Sequence, residues 1–297
     1  MNKISLKPWS LETEAIDLIQ EVAELFDSKG LYFGHGTDNP LDEAMTLVFF
    51  VLGVVYPYTE NSSSIKVSNQ EYNSIIRLVN QRIFEKKPLS YLTQEAFFCG
   101  HKFYVDERVL IPRSPIAELI RNQFAPWLKA NSVQNVLDIA TGSGCLAIAI
   151  AKSFPGTEVI ASDVSKETLE VAKINIDKFS VRDQVTLVQS DLFENIEGEF
   201  DLIVSNPPYV DPESYDDLPA EYLHEPDLAL IAANNGLDFI ARILHDAPPF
   251  LKEDGILILE MGEAAKAAEQ TLGHPFRWIE LENGGEGIAV IDAKHLK

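Results

Sequence analysis

Ser205-Asn206-Pro207-Pro208-Tyr209 is the stretch of this chain best suited to chemistry. The Asn206 side-chain carbonyl is a hydrogen-bond acceptor, and so is the backbone carbonyl of Pro207. Two convergent acceptors can hold both hydrogens of a planar –NH2 group. Tyr209 offers a flat face against which a planar amide or base can stack. Held this way, a nitrogen lone pair can be turned out of conjugation and aimed at an electrophile. That is catalysis by orientation and hydrogen bonding, without a strong base. An ordinary Asn-Pro turn uses the same residues, so the motif alone decides nothing.

A second loop lies upstream. Asp138-Ile139-Ala140-Thr141-Gly142-Ser143-Gly144 closes one apolar run and opens a helical one. Gly142 permits a tight turn, and Gly144 a close approach of backbone to ligand. With Ala147 the spacing is G-x-G-x-x-A, which also fits a dinucleotide site and is weak as a lone fingerprint. Three acids sharpen it. Asp138 stands where it can meet a cationic amino group, such as that of a methionine moiety. Asp163 follows Gly144 by about 20 residues, where an acid can bind ribose hydroxyls. Asp191, in Ser190-Asp191-Leu192-Phe193, can accept from an exocyclic adenine amine while Leu192 packs on the ring. Each acid can also be a helix cap or a solvated loop residue. Dinucleotide enzymes have no need of Asn-Pro-Pro-Tyr, whereas S-adenosylmethionine-dependent amino methyltransferases do. The expected cofactor is therefore S-adenosyl-L-methionine, held by Asp138, the loop Ala140-Thr141-Gly142-Ser143-Gly144, Asp163, Asp191, Leu192 and Asn206. No metal site is expected.

These loops need a frame. Phe200–Ser205 is a short apolar run that reads as a buried parallel strand. Pro207 and Pro208 end its ladder, having no N–H to donate. The motif then sits at the carboxyl end of a strand, where open α/β sheets bind ligands. From Val133 onward strand and helix alternate, the pattern of a doubly wound domain. Strands are predicted at Asn135–Ile139, Glu158–Ser162, Val185–Gln189, Phe200–Ser205, Gly255–Glu260, Arg277–Leu281 and Gly287–Ile291, the last two antiparallel. Helices are predicted at Cys145–Phe154, Lys166–Phe179, Leu237–Leu251 and Glu263–Leu272. The fold class is α/β, a seven-stranded Rossmann-like methyltransferase sheet.

Residues 10–87 read as helices. Ser10 is the expected first N-cap, and Leu11, Ala15, Leu18, Ile19, Val22, Leu25 and Phe26 form one stripe. Asn39-Pro40 opens a second helix that includes Leu41 and Met45. Ser68 and Glu71 form a capping box before a third. His35, between Gly34 and Gly36, is expected to be exposed and is given no role. Between 88 and 112, strand formers flank a turn at Gly100-His101 and predict a β-hairpin. A helix is expected from Ile116 to Leu128. Arg113 can clamp a partner or close the cofactor pocket, or be a surface arginine in a proline-rich linker. The expected domains are 1–87, helical and substrate-recognising; 88–115, a hairpin linker; and 116–297, the methyltransferase domain.

The 297 residues make one large or two ordinary domains, and 46% are hydrophobic, enough for a sizeable core. There is no run of eighteen apolar residues to span a membrane, and Met1-Asn2-Lys3-Ile4-Ser5 lacks the apolar core of a signal peptide. Cys99 and Cys145 are too few for a disulfide framework and suit a cytoplasmic protein. A net charge of −22 repels nucleic-acid phosphates and favours a basic partner. It can equally serve solubility.

On Pro88-Leu89-Ser90-Tyr91-Leu92, Leu110-Ile111-Pro112-Arg113 and Asn206-Pro207-Pro208-Tyr209, nearly the whole chain resembles the protein-(glutamine-N5) methyltransferases. One branch acts on class-1 release factors and another on large-subunit ribosomal protein three. Pro112-Arg113-Ser114-Pro115-Ile116-Ala117-Glu118, Glu221-Tyr222-Leu223-His224-Glu225-Pro226 and Glu282-Asn283-Gly284-Gly285-Glu286-Gly287 resemble the ribosomal-protein branch. The resemblance implies that a glutamine amide enters a slot over Asn206–Tyr209. Its hydrogens bond the Asn206 side chain and the Pro207 carbonyl, its nitrogen attacks the cofactor methyl, and a proton is lost afterwards. Asn206, Pro207 and Tyr209 are then catalytic, and Pro208, Arg113 and Glu225 join them in binding substrate. The release-factor enzymes often carry Trp where this chain has Leu192, which leaves apolar packing on adenine. Glu225-Pro226, in the long segment 211–235, is expected to border the slot. The implied partner is ribosomal protein three, before or during ribosome assembly, with no nucleic acid and no membrane. The alternatives are a release-factor methyltransferase, a DNA or rRNA amino methyltransferase, and a binding module that has kept only the fold.

Overall fold

The structure, a computed structural model, describes residues 6–129, 132–282 and 284–296. Met1–Ser5, read above for targeting, and Asn283 of the C-terminal signature lie outside them. The chain divides into two compact units. One is the chain up to Glu95 together with Pro219–His224. The other is Ala96–Leu218 with Glu225 onward. Among the described residues no helix is long and apolar enough to cross a membrane.

The first unit holds α1 (Ala15–Ser28), α2 (Pro40–Val51), α3 (Asn69–Phe84) and α4 (Leu89–Thr93). Leu18, Val22 and Phe26 pack with Leu47, Val48, Ile75 and Val79 in one apolar cluster. Asn39 caps α2 through the Asp42 amide with Pro40 behind it, and Ser68 and Glu71 form a reciprocal box on α3. Ser10 is not a cap. Thr13 and Glu14 are drawn into backbone pairing with the chain at Ile65–Val67, so α1 starts later, with Glu14 and Asp17 as its box. Leu11 is therefore outside the stripe and 80% exposed, and Leu41, in the first turn of α2, is also exposed. His35 is buried rather than exposed, its ring 4.6 Å from that of Tyr222.

Arg82 is the largest fully buried side chain of the molecule. Its guanidinium donates to Glu43 at 2.6 Å, to Glu221 at 2.8 Å and to the Tyr32 carbonyl at 2.7 Å. Glu221 also accepts from the Tyr32 amide. Burial pushes the Glu43 carboxyl up. Glu221, although burial opposes it, is held below the usual range by Arg82 and the Tyr32 amide. This cation is what fixes Pro219–His224 within the helical unit, although Glu221 lies 139 positions further along the chain than Arg82.

The second unit opens with a hairpin, β1 (Glu95–Phe98) and β2 (His101–Tyr104), and α5 (Ile116–Arg121). The helix is shorter than expected. Gln123 and Phe124 turn left-handed, and the Phe124 amide closes back on the Leu119 carbonyl, ahead of a proline that cannot continue the helix. Then come β3 (Asn135–Ile139), α6 (Cys145–Ser153), β4 (Glu158–Asp163), α7 (Lys166–Phe179), β5 (Val185–Gln189) and β6 (Phe200–Ser205). After β6 lie the short turns α8 (Pro212–Tyr215) and α9 (Ala233–Gly236), then α10 (Asp238–Asp246), β7 (Leu251–Glu260), α11 (Ala265–Thr271), β8 (Arg277–Trp278) and β9 (Ile288–Asp292). Pro248 and Pro249 stop α10 early.

The sheet order is β5-β4-β3-β6-β7-β9-β8, with only β9 and β8 antiparallel to their neighbours. Neighbouring β3 and β6 are far apart in the chain, so the strand order reverses between them. Val136, Ile148 and Val204 belong to the apolar cluster on one face, and Leu137, Ile203 and Leu257 to that on the other.

Replacing Arg82 by Ala strands two buried carboxylates. The expected loss is about 3–5 kcal/mol, read as a lowered urea midpoint, with faster proteolysis inside Pro219–His224.

Candidate active site

A cavity of about 270 Å³ opens at the carboxyl ends of β3 to β6. Parallel pairing puts these ends in one row. Ile139 is in register with Ser205, whose hydroxyl donates to the Ile139 carbonyl at 2.8 Å. Thr141 donates its amide to the Ser162 carbonyl, and Ser190 donates its own to the Asp163 carbonyl. The loops that follow the four strands are thereby fixed side by side.

The loop after β3 is wound tightly. Ala140 has φ +58° and Gly142 also +58°. A left-handed Ala costs about 1–2 kcal/mol, and such strain gathers at functional sites. A Cβ added at Gly142 would meet nothing within 4 Å, so its missing side chain leaves open space. Gly144 does something else. It does not line the cavity, and a Cβ there would sit 3.3 Å from that of Ala172. It serves the packing of α6 on α7 rather than a close approach to ligand.

Asp138 is also not at the cavity surface. It is fully buried, and its Oδ2 accepts from the Thr141 hydroxyl at 2.6 Å and the Ala147 amide at 3.1 Å. It pins the loop from beneath, and burial raises its carboxyl to about 7. Its Oδ1 is buried without a partner among the described residues.

Asp163 lines the cavity, with Oδ2 accepting from the Gly142 amide at 3.1 Å and Oδ1 from the Ser165 amide at 3.0 Å. Burial pushes it up. A carboxylate has about four acceptor positions, so it keeps capacity for further donors. Asp191 lines the wall beyond it and is ion-paired with Arg242 of α10 at 2.9 Å. Leu192 is 7% exposed with φ +49°, a second left-handed residue. With Ile139, Ala140, Thr141, Ser143 and Phe239 it completes this end of the cavity.

Asn206, Pro207 and Pro208 line the cavity directly. Among the described residues none bonds the Asn206 side chain, and the two prolines bring no N–H that might. Tyr209 does not line it. The ring is wedged against the backbone at Gly262, where an added Cβ would lie 2.7 Å from Cζ, and the hydroxyl faces Glu260 at 3.5 Å.

The segment 108–114 closes another side as loop rather than strand. Arg113 reaches the cavity and makes a two-pronged pair with Glu225, at 2.6 and 2.7 Å. Glu225 itself is buried away from the cavity and also accepts the Ile111 amide at 2.9 Å. Its neighbour Pro226, with Leu228 and Ala229, does line it. Glu225 therefore acts on the site as an anchor for the loop ahead of α5. Sequence reasoning missed Ser114, Phe239, Arg242 and Glu260. Phe239 and Arg242 lie on a helix with no motif of its own, Ser114 stands in a stretch read only for its resemblance, and Glu260 reads only as the end of a strand.

Glu225→Ala is expected to cost about 2 kcal/mol, less than a fully buried pair because Arg113 keeps 23% exposure. Hydrogen exchange at the Ile111 amide should accelerate; unchanged exchange would deny the anchor.

Residues 122–225 match the model of the Methyltransferase small domain family. The chain is 43% identical to the ribosomal protein uL3 glutamine methyltransferase of Francisella tularensis, over 89% of this chain and 85% of that one. It is 42% identical to the protein of the same name from Neisseria gonorrhoeae, over 93% and 92%. At that identity over nearly the full length of both relatives, the chain belongs to the ribosomal protein uL3 glutamine methyltransferases.

Proposed function

We propose that this enzyme transfers a methyl group from S-adenosyl-L-methionine to the side-chain nitrogen of a glutamine in ribosomal protein uL3. The products are N5-methylglutamine and S-adenosylhomocysteine. The observation that carries the reading is the register of β3 and β6, which sets Asn206 and Pro207 beside the glycine loop on one cavity wall.

The residues fit the cofactor. Gly142 leaves room at the loop, Asp163 offers acceptor capacity for ribose hydroxyls, and Ile139 and Leu192 give apolar faces for adenine. Asp191, which lines the cavity and is held by Arg242, is the acceptor assigned to the adenine amine in this reading. When bound, the cofactor supplies an electrophilic sulfonium methyl. The chain's own task is to orient the glutamine. The Asn206 side-chain carbonyl and the Pro207 carbonyl take the two amide hydrogens, and the prolines keep that loop rigid. Tyr209, wedged from behind, sets the far side of the slot. Arg113 and Pro226 border the entrance, with Glu225 anchoring both.

The helical unit is the part of the chain suited to reading the protein substrate. Its α1 exposes Asp17, Glu24 and Asp27, which suits a basic partner, as does the overall charge of −22. Ribosomal proteins are made in the cytoplasm, and the enzyme is placed there.

With labelled cofactor offered separately uL3, a class-1 release factor and rRNA, label is expected in uL3 alone. Label confined to the release factor or to RNA would refute the substrate. Asn206→Ala should bind cofactor in calorimetry as the parent does, yet lose about 10²–10³-fold in kcat. Unchanged turnover would remove Asn206 from the reaction.

A further inference from the structure

Glu260 is a buried carboxylate for which the reaction as described has no use. It ends β7, next in the sheet to the strand that delivers Asn206, and is 5% exposed. Two loops of the site converge on it. The Ser114 hydroxyl, at the cavity wall, donates to Oε2 at 2.5 Å. The Tyr209 hydroxyl donates to Oε1 at 3.5 Å. Ser114 in turn accepts the Ile116 amide, which fixes the start of α5. On the β9 side its register partner is Ile288, which carries no charge. The cation acting on it is Arg113, one residue from Ser114.

We propose that Glu260 is a positioning residue: its ionised carboxylate accepts from Tyr209 and Ser114 together and so fixes both sides of the glutamine slot. The inference rests on the slot proposed above. An ionised carboxylate has an acceptor for each hydroxyl. A protonated one turns one oxygen into a donor and no longer serves both.

The geometry makes the device sensitive to pH. Burial pushes the Glu260 carboxyl up to about 7, against the opposing effects of Ser114, Arg113 and Tyr209. The two-acceptor form therefore prevails above that value and is lost below it. The Tyr209 ring occupies the space a Cβ at Gly262 would take, which limits its movement toward that side. The cavity contact of Ser114 means that the same protonation loosens the opposite wall.

The test measures kcat and KM on uL3 against pH for the parent, Glu260→Gln, Tyr209→Phe and the double variant, with cofactor affinity by calorimetry. The parent should show an acid limb in kcat centred near the Glu260 value. Glu260→Gln should lose that limb and run roughly tenfold slower at high pH, with KM and cofactor affinity unchanged. The double variant should be no slower than the slower single one, since both cut the same link. An acid limb that persists in Glu260→Gln, or losses that multiply, overturns the proposal. So does a fall in cofactor affinity equal to the fall in kcat. If the parent leaves uL3 unlabelled, the substrate reading is what fails, and the network is then read by thermal unfolding. A carboxyl raised in the folded state makes the parent lose stability relative to Glu260→Gln as pH rises from about 4.5 to about 7. Stability losses that simply add in Glu260→Gln, Tyr209→Phe and the double variant would overturn the network itself.

Discussion

Everything at the site depends on one pairing, that of β3 with β6. The two strands are separated by two helices and two strands of chain, yet they run side by side and end level. Ile139 faces Ser205 in register, and the Ser205 hydroxyl seals the two strand ends. Without that register the glycine loop and the Asn-Pro-Pro-Tyr loop would be features of two different places. A slip by one residue would turn each inward side chain to the other face, and both buried clusters forbid it. The hydrophobic core thus sets how far the Asn-Pro-Pro-Tyr loop lies from the glycine loop.

Buried charge does the rest of the positioning, and it does so where the sheet cannot reach. The segment between β6 and α10 is too irregular to be held by a ladder. Its middle, Pro219–His224, is held in the helical unit by Arg82 through Glu221. Its return is held by Glu225 on Arg113 and the Ile111 amide. Each carboxylate is nearly inaccessible to water and each meets a guanidinium. Such pairs add little net stability over an apolar core but tolerate no alternative partner. Apolar side chains would have kept the segment attached while leaving its course open. A segment that lines the cavity at Pro226, Leu228 and Ala229 is thereby held to one course.

The sheet was legible because its cause is local. Runs such as Val136–Ile139 and Leu202–Val204 can only be central strands, and Asn39-Pro40 and the Ser68–Glu71 box are complete within four residues. The cavity walls carrying sequence motifs were legible too. What was not legible has causes distant in the chain. Ser10 looks like a cap until Lys66 and Val67 arrive from fifty residues away. Nothing near Gly144 says that Ala172 will press on it, and nothing near His35 announces Tyr222. Tyr209 reads as an open stacking surface because Gly262 is invisible from its own neighbourhood. Asp138 reads as a ligand group for the same reason, its burial being a property of the finished sheet.

That difference bears on how a neutral amide can be made to react at all. A primary amide nitrogen is a poor nucleophile while its lone pair is conjugated. The loop must then supply order in place of basicity. Pro207 and Pro208 contribute by what they lack: with no N–H of their own, they leave the Asn206 and Pro207 carbonyls without a local donor to satisfy them. Acceptors held open at a cavity wall carry an unmet demand for hydrogen bonds, and a –NH2 group is the ligand that meets it twice. The strained backbone at Ala140 and Leu192, in the loops that follow β3 and β5, has the same character. Its cost is met by the packed sheet in folding, before any substrate arrives, so that little reorganisation remains for the step itself.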